Sequence, residues 1–460
     1  MSSRKILTLA IGQCGNQVTS TYWSRIRLEH GIDAEGVLQH PDNSLDDRKD
    51  IFFYEADDGR YVPRSIFIDL EPGVLLSVRQ ECPKLYNPEN FLLLEQSGAG
   101  NKWSVGYDFG VQHYETISEA IRREAEVADS LEGFIMCHSI AGGTGSGISS
   151  CLLEKLSDDY KKSTFMNYAV FPESKTNKEG IDETAIDVVV EPYNSVLSLS
   201  RLIQYSDAVV ILDNASLFSI AAKISENKTT INNNDVNSLI STVMSATTAT
   251  LRFPSYSNND MISLLAPLIP TPQCHFLMTG YTPLSFDTSS KVVCKTSVID
   301  VIRRLLNKKN IMVTADVEKG MYISILNIIQ GEVDPSEIHT ALRQVRDTNS
   351  LRFIPWGPAS LQLALSRSSS FVKSQHRVSG LMLANHTSIR YIFKGIVERA
   401  KKISKARAFM TGKNSISDTE VFEHNPDKCA EEINKCIGIA QDLVKEYEDA
   451  EKADFLTLGM

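Results

Sequence analysis

The sequence lacks long hydrophobic runs and clustered metal ligands. No apolar stretch approaches the roughly 20 residues that a membrane-spanning helix needs. The apolar run at residues 6–11 is too short for a secretion signal and ends at Gly12. The 8 cysteines include no Cys-x-x-Cys pair and no cysteine–histidine group with zinc spacing. These absences predict a cytoplasmic protein with no membrane partner, whose cysteines are buried free thiols.

Excess positive charge is also lacking. Lys and Arg number 47 against 57 Asp and Glu, which gives a formal net charge of −10. The sequence therefore does not predict a nucleic acid as a partner. Its 460 residues, of which 42% are hydrophobic, exceed what a single core usually needs and predict two or three soluble domains.

In the first half of the chain, short apolar runs alternate with stretches that carry apolar residues at helical spacing. This alternation predicts an α/β fold with a parallel sheet covered by helices on both faces. The predicted strands are residues 5–11, 65–69, 133–139, 165–171 and 208–213, and the clearest predicted helices are 114–128 and 146–160.

In the second half of the chain, the sequence predicts a long helix, a further α/β unit and a pair of terminal helices. The long helix covers residues 235–251, and the terminal pair is a basic helix (390–407) and an acidic one (429–448) joined by an exposed linker, 411–425. The further unit has strands at 275–279, 312–315, 321–329 and 352–355 and helices at 297–306 and 336–345. The resulting domains are 1–234, 235–387 and 388–460, with surface loops at 42–50 and 173–187.

The strongest local signal is a glycine-rich loop, Ser139-Ile-Ala-Gly-Gly-Thr-Gly-Ser-Gly147, between a predicted strand and a predicted helix. Glycines leave room for an anion, and successive backbone N–H groups at a helix N-terminus can bind phosphate oxygens. The loop is neither a P-loop, GxxxxGK[ST], nor a first-strand dinucleotide motif. A merely structural turn is the alternative.

Three further loops also follow predicted strands. They are Gly12-Gln-Cys-Gly-Asn-Gln17, Asp69-Leu-Glu-Pro72 and Gly98-Ala-Gly-Asn101. Ligands bind at the carboxyl ends of strands in open α/β sheets, and acids there can hold Mg²⁺ beside a triphosphate. Asp69 alone could equally be a helix N-cap. Four such loops together favour one phosphate-binding crevice.

At this point the motifs resemble a known family. The glycine-rich loop is similar to the tubulin signature, and the other three loops match that family in order, as do Val190-Glu-Pro-Tyr-Asn194 and Leu251-Arg-Phe-Pro254. The resemblance implies a Rossmann-like GTPase domain with a parallel sheet, a central helix, a second α/β domain and a C-terminal helical hairpin. It also implies GTP or GDP and Mg²⁺ as ligands.

The resemblance further implies roles for individual residues. Asp69 and Glu71 would organise Mg²⁺, Gln13, Cys14 and Gln17 would lie against the phosphates and base, and Asn237 would bind the guanine edge. The full set of expected nucleotide-binding residues is Gly12, Gln13, Cys14, Gln17, Asp69, Glu71, Ala99, Gly100, Asn101, Ser139, Ala141, Gly142, Gly143, Thr144, Gly145, Ser146, Gly147, Asp187, Glu191, Tyr205 and Asn237.

The sequence departs from the family pattern at three positions. Tyr205 stands where the family has an asparagine near the ribose, and Asn233 stands where an aromatic residue stacks on guanine. Ser263 stands where α-tubulin carries the glutamate that completes GTP hydrolysis in its neighbour. Because serine is a poor general base at neutral pH, we expect this chain not to activate hydrolysis in a neighbour, and we expect at most weak GTPase activity of its own.

Within the family, several stretches are most similar to the γ-tubulin branch: residues 48–54, 84–90, 279–284, 354–359 and 376–382, with Ala141 where α- and β-tubulin have glycine. This implies microtubule nucleation at a centrosome or spindle pole body, with α/β-tubulin, γ-tubulin complex proteins and lateral copies of the chain as partners. The alternatives are a wall-forming tubulin subunit, a self-activating GTPase and, remotely, a dehydrogenase.

Overall fold

The computed structural model describes most of the chain, with internal gaps. The described residues are 4–39, 47–94, 98–172, 189–224, 231–253, 259–284, 297–331, 333–347, 351–372, 376–410 and 415–455. They divide into two compact units, each built from three segments of the chain. The first unit is 1–19, 63–209 and 390–447, and the second is 20–62, 210–389 and 448–460.

The first unit contains a parallel sheet in the strand order β7-β6-β1-β4-β5. Its central strand β1 is almost wholly buried along its length, which is the pattern of a strand covered on both faces. The strands are β1 (Lys5–Ile11), β4 (Ser65–Asp69), β5 (Phe91–Leu93), β6 (Leu131–Ser139) and β7 (Thr164–Phe171). Two short strands, β2 (Phe53–Glu55) and β3 (Tyr61–Pro63), form a separate two-stranded sheet.

Helices follow the strands of this sheet and cover it. Parallel strands need such crossover connections, because a tight turn cannot join them. The helices are α1 (Gly12–Glu29), α2 (Pro72–Glu81), α3 (Trp103–Gln112), α4 (Tyr114–Glu126), α5 (Thr144–Asp159) and α6 (Glu191–Tyr205). Next come β8 (Ala208–Asp213) and α7 (Asn214–Ile224). The division between the units falls inside α1, β3 and β8.

The second unit is centred on a long helix and a mixed sheet. Helix α8 (Asn233–Arg252) begins where Asp235 Oδ2 accepts a hydrogen bond from the backbone N–H of Asn232 (3.2 Å). The sheet has the order β11-β10-β12-β9, with β10 parallel to β11 and antiparallel to β12. Its elements are α9 (Met261–Leu265), β9 (Phe276–Thr282), α10 (Val298–Leu305), β10 (Tyr322–Gly331), α11 (Pro335–Asp347), β11 (Ser360–Ser366) and β12 (Val378–His386).

The two terminal helices belong to the first unit. They are α12 (Arg390–Lys405) and α13 (Pro426–Asp449), the second of which crosses the division near its end. The predicted linker between them was expected to be exposed, and only part of its described stretch, 415–425, is: Asp418, Glu420, Glu423 and His424 are exposed, whereas Ser415, Ile416, Ser417, Thr419 and Phe422 are buried. There Ser104 Oγ donates to the carbonyl of Ile416 (2.8 Å), and Asp108 accepts hydrogen bonds from the N–H groups of Glu420 and Val421.

Two predicted strands of the second unit are also wrong. Residues 312–315 and 352–355 form no strand, and each region contributes one isolated bridge, Ile311 with Gly280 and Phe353 with Tyr322. Near the first, the N–H of Thr314 donates to the Asp213 carboxylate (2.8 Å), so a side chain takes the place of a ladder partner. Strands β11 and β12 were not predicted, and the predicted insertion 173–187 lies outside the described residues. The three-domain division stays a prediction.

Two expectations from composition can be compared with the described residues. Seven of the cysteines lie in the described ranges; all seven are free thiols, and all but Cys14 are buried. Within those ranges no helix is long and apolar enough to cross a membrane.

A buried ionic network joins α1 to α8 in the second unit. Arg252 is fully buried, and its Nη2 lies 2.8 Å from Glu29 Oε2 and donates to the carbonyl of Ser245 (2.8 Å). Burial alone would raise the pKa of Glu29, but Arg252 and Arg25 outweigh it and hold that pKa below its ordinary value. Asp47, in the predicted surface loop 42–50, also has a largely buried carboxylate, 2.7 Å from His30 Nδ1.

Removing the Arg252 guanidinium should destabilise the protein strongly. Arg252→Met leaves the Glu29 carboxylate without its closest cation, so we expect the free energy of unfolding to fall by about 3–5 kcal/mol. Denaturant unfolding at neutral pH measures this. The control is Arg122→Met, because Arg122 and Glu126 are 66% and 72% exposed and such a pair contributes about 0–1 kcal/mol.

The same variant has an expected pH dependence. The pKa of Glu29 in the folded protein lies below its ordinary value of 4.5. The stabilisation that the ionised Glu29 gives the folded protein is therefore complete above pH 4.5 and is lost as the pH falls through the folded pKa. The gap in stability between the wild type and Arg252→Met should therefore narrow in acid. A gap independent of pH would contradict the assignment to Glu29.

Candidate functional site

Four neighbouring parallel strands of the first unit end at one edge of its sheet. Strand β1 lies between β4 and β6, and it pairs with both up to their carboxyl ends, Ile11 with Ile68 and Ala10 with Cys137. Strand β5 pairs with the end of β4. Because these strands are parallel, the chain leaves all four at the same edge. The four predicted loops therefore begin at adjacent points.

The first loop touches the glycine-rich loop directly. Gly12 has φ +71°, a conformation that residues with a side chain rarely adopt. A methyl group added at Gly12 would lie 2.7 Å from the amide nitrogen of Gly145. The start of α1 can therefore approach the start of α5 this closely because position 12 is glycine.

The first loop is also bonded to the acidic loop. Asn16 is fully buried, and its Nδ2 donates to Asp69 Oδ2 (3.0 Å) and to the carbonyl of Ile68 (3.1 Å). Asp69 Oδ1 accepts a hydrogen bond from the N–H of Leu70 (2.8 Å). Burial nevertheless outweighs these bonds and raises the pKa of Asp69. A cation beside this carboxylate would offset the cost of burying its charge.

The remaining two contacts close a ring of loops. A side chain at Gly98, which has φ +68°, would overlap the Glu71 carboxylate, so these two loops lie against each other. A methyl group at Gly143 would lie 2.6 Å from the amide nitrogen of Lys102 and 2.9 Å from Ala99 Cβ. Each of the four loops thus touches the next, and the fourth touches the first.

Two glycines of the ring have open space beside them. Groups added at Gly100 and Gly142 would meet no described atom within 4 Å. This is the space that a phosphate needs to approach backbone N–H groups. Thr144 is partly exposed, whereas Ser146 is buried and donates its hydroxyl to the carbonyl of Gly142. The Ser146 hydroxyl therefore shapes the loop, although the sequence led us to expect a phosphate contact.

The other predicted residues of the first loop and of the β6 end differ in exposure. Gln13 is exposed, and Gln17 and Cys14 are partly exposed. Burial raises the pKa of the Cys14 thiol to about 11, so it is neutral at physiological pH. The hydroxyl of Ser139 accepts a hydrogen bond from the N–H of Ala141 (3.3 Å), which fixes the turn into the glycine-rich loop.

Four predicted residues lie outside the four loops of the ring. Glu191 and Tyr205 are the first and last residues of α6, and Glu191 Oε1 lies 3.5 Å from Arg399 Nη1 on α12. Asn237 is in α8 of the second unit and is 9% exposed. Asp187 lies outside the described residues. The predicted contacts to ribose and base therefore stay predictions.

The acids of the ring suit a cation that shares its ligands with a phosphate. Asp69 and Glu71 are the two carboxylates here, and the described residues contain no group of three metal-binding side chains. Mg²⁺ is usually held in proteins by one or two carboxylates together with phosphate oxygens and water. The donor set therefore fits magnesium bound with a nucleotide.

Comparison with known families agrees with this geometry. Residues 5–222 match the GTPase domain of the Tubulin/FtsZ family, and residues 272–398 match the Tubulin C-terminal domain. The chain belongs to the tubulin family. The matched GTPase domain contains the whole ring of loops and implies that the chain binds GTP or GDP. The expected α/β tubulin fold is thereby confirmed, and the family is cytoskeletal.

Sequence reasoning missed Asn16, which holds the Asp69 carboxylate. The residue belongs to the predicted loop, but nothing local distinguishes it from a polar surface residue of α1. One signal was available, because Asn16, Thr19 and Trp23 recur at helical spacing and are all buried. A buried asparagine on the inner face of a helix needs hydrogen-bond partners.

A side chain at Gly12 should push two loops of the ring apart and should lower the free energy of unfolding by more than backbone strain alone would. Gly12→Ala combines a left-handed conformation, which costs about 1–2 kcal/mol, with overpacking against Gly145, which costs about 1–3 kcal/mol. The control is Gly59→Ala, because Gly59 has φ +78° and an added methyl group meets no described atom within 4 Å. Denaturant unfolding of the two variants compares them.

We expect Gly12→Ala to be the less stable variant by about 2 kcal/mol, the overpacking part alone. Equal losses would mean that the α1 and α5 loops can separate freely, which would contradict the close contact between them.

Proposed function

We propose that the ring of loops holds the phosphates of GTP with a magnesium ion. The observation that carries this is the chain of contacts that joins the four loops, together with the open space beside Gly100 and Gly142. Asp69 and Glu71 would hold the ion, and the magnesium would balance the buried Asp69 charge and the phosphates. Gln13, Cys14 and Gln17 would lie against the phosphates and base, and residues 141–147 would supply N–H donors.

We propose further that the chain is a γ-type tubulin, which nucleates microtubules. Support comes from the stretches most similar to that branch, such as 48–54 and 84–90. Its nucleotide face would bind α-tubulin, and its opposite face would bind γ-tubulin complex proteins at a centrosome or spindle pole body. Lateral copies of the chain would complete a ring that caps the minus end.

The environment of Ser263 supports a cap rather than a wall subunit. The N–H of Ser263 donates to Asp260 Oδ1 (3.0 Å), and its hydroxyl donates to the carbonyl of Asp260 (2.9 Å). Ser263 therefore serves as the partner of an N-cap at α9. The position thus carries no carboxylate to activate water in a neighbour below. Only the nucleotide face would take part in hydrolysis, with a glutamate from the incoming α-tubulin.

Nucleation by a preformed ring has a direct thermodynamic reason. The first subunits that associate lose translational and rotational freedom before they have many contacts. A ring that presents several binding sites at once makes the later contacts intramolecular and raises the effective concentration. GTP and magnesium would stabilise the face on which those contacts form.

The purified complex containing this chain should shorten the lag of αβ-tubulin assembly, measured by turbidity, and should increase the number of microtubules.

Asp69→Asn removes the charge expected to face magnesium. This variant should lower the number of microtubules about tenfold, the effect of losing one charged hydrogen-bonding group. The control is Asp58→Asn, because Asp58 is about half exposed and pairs only locally with Arg60. An unchanged lag with the wild type would count against nucleation.

The location of labelled chain separates the alternatives. Label at one end of each microtubule supports the cap, whereas label along the lattice supports a wall subunit. Fast single-turnover hydrolysis by the isolated chain would instead support a self-activating GTPase. Denaturation and chromatography of the purified protein would identify the bound nucleotide directly.

A further inference from the structure

Asn194 joins two of the phosphate loops through its side-chain amide. It lies on α6, is fully buried, and belongs to neither loop. Its Nδ2 donates to the carbonyl of Asn101 (2.7 Å) and to the carbonyl of Ala141 (2.9 Å). Its Oδ1 accepts a hydrogen bond from the N–H of Trp103 (2.9 Å), the first residue of α3. One buried amide therefore connects the loop 98–101 to the loop 139–147.

The joint between these loops is tight and partly strained. A methyl group at Gly143 would lie 2.6 Å from the amide nitrogen of Lys102 and 2.9 Å from the carbonyl carbon of Asn101. Asn101 has φ +56°, in the left-handed region that residues other than glycine adopt infrequently. Such a conformation persists where surrounding contacts impose it, and the bond from Asn194 to the Asn101 carbonyl is one of those contacts.

The chemistry at this position needs an amide. Asparagine offers two N–H donors and one carbonyl acceptor on a short side chain, and all three functions are used here. An ionised aspartate would place negative oxygens against two carbonyls, and leucine would leave all three backbone groups without this partner. No other side chain of similar size supplies two donors and an acceptor in one plane.

Asn194 also sets the direction of a backbone donor. In a trans peptide the carbonyl oxygen and the following N–H point to opposite sides. The Ala141 carbonyl is directed at Asn194, so the N–H of Gly142 points away from α6. Gly142 is one of the two positions where the ring is open.

We propose that Asn194 is a positioning residue for phosphate binding: it fixes the spacing of the loops at Asn101 and Ala141 and orients the Gly142 amide without touching the nucleotide. This inference rests on the proposed binding of GTP in the ring. Because Asn194 bonds the backbone of two phosphate loops, it would act on the phosphates and not on the base, so its contribution should grow with the number of phosphates on the ligand.

The test compares affinities for GTP and GMP. In Asn194→Leu, the affinity for GTP should fall by about tenfold, the effect of losing one to two net hydrogen bonds. The affinity for GMP should change little, because GMP lacks the β- and γ-phosphates. The informative quantity is the ratio of the two dissociation constants, measured by competition with a fluorescent guanine nucleotide, alongside the melting temperature.

A matched control separates positioning from loss of stability. Leu197 lies one turn further along α6 and is 1% exposed, so Leu197→Ala lowers the melting temperature through a cavity. Its GTP-to-GMP ratio should equal that of the wild type. If Asn194→Leu does not fold, Asn194→Ala gives a second test, since it removes the same three hydrogen bonds with a smaller side chain and should also reduce GTP binding selectively.

The outcomes separate this inference from the function on which it rests. Wild-type protein that binds no GTP would overturn both. Wild-type protein that binds GTP, with an unchanged GTP-to-GMP ratio in Asn194→Leu, or in Asn194→Ala where that variant serves as the test, would overturn the role of Asn194 alone. A selective loss of GTP affinity in the variant, absent in Leu197→Ala, is the expected result.

Discussion

The parallel pairing of β1 with β4 and β6 is the constraint on which the site depends. Parallel strands send the chain out at one edge, so segments far apart in sequence arrive as neighbours. Residues 12, 69 and 139 begin or end their elements within this edge, and β5 adds a fourth exit. Nothing about a single loop requires it to meet the others. The order of the strands brings them together.

Once the loops are adjacent, two kinds of residue hold them in place. Glycines at positions such as Gly12 and Gly143 allow backbones to approach to distances that any side chain would prevent. Buried asparagines then bond the loops to one another, Asn16 at the acidic loop and Asn194 between two phosphate loops. A neutral amide suits this task because it both donates and accepts without the cost of burying a charge.

The C-terminal segment contributes to the same unit as the nucleotide loops. Arg399 on α12 lies beside Glu191 at the start of α6, and the segment after α12 is hydrogen-bonded to α3. Helices α3 and α6 also carry Trp103 and Asn194, which bond to each other. The elements that shape the phosphate loops are therefore the elements on which the C-terminal segment packs.

The sequence by itself determined the local elements and the positions of the loops. Continuous apolar runs gave β1, β4 and β8 with their observed ends, and helical spacing gave α8 to within two residues, because these patterns depend only on period and on terminating residues. The glycine-rich loop and the family resemblance followed from short motifs.

Tertiary structure alone decided which loops touch and which side chains join them. Asn16 and Asp69 are 53 positions apart, and Asn194 and Asn101 are 93 positions apart. It also decided that residues 312–315 form no strand and that Thr314 bonds to the Asp213 carboxylate. The physical reason is that such contacts depend on the order in which strands assemble, which no local pattern specifies.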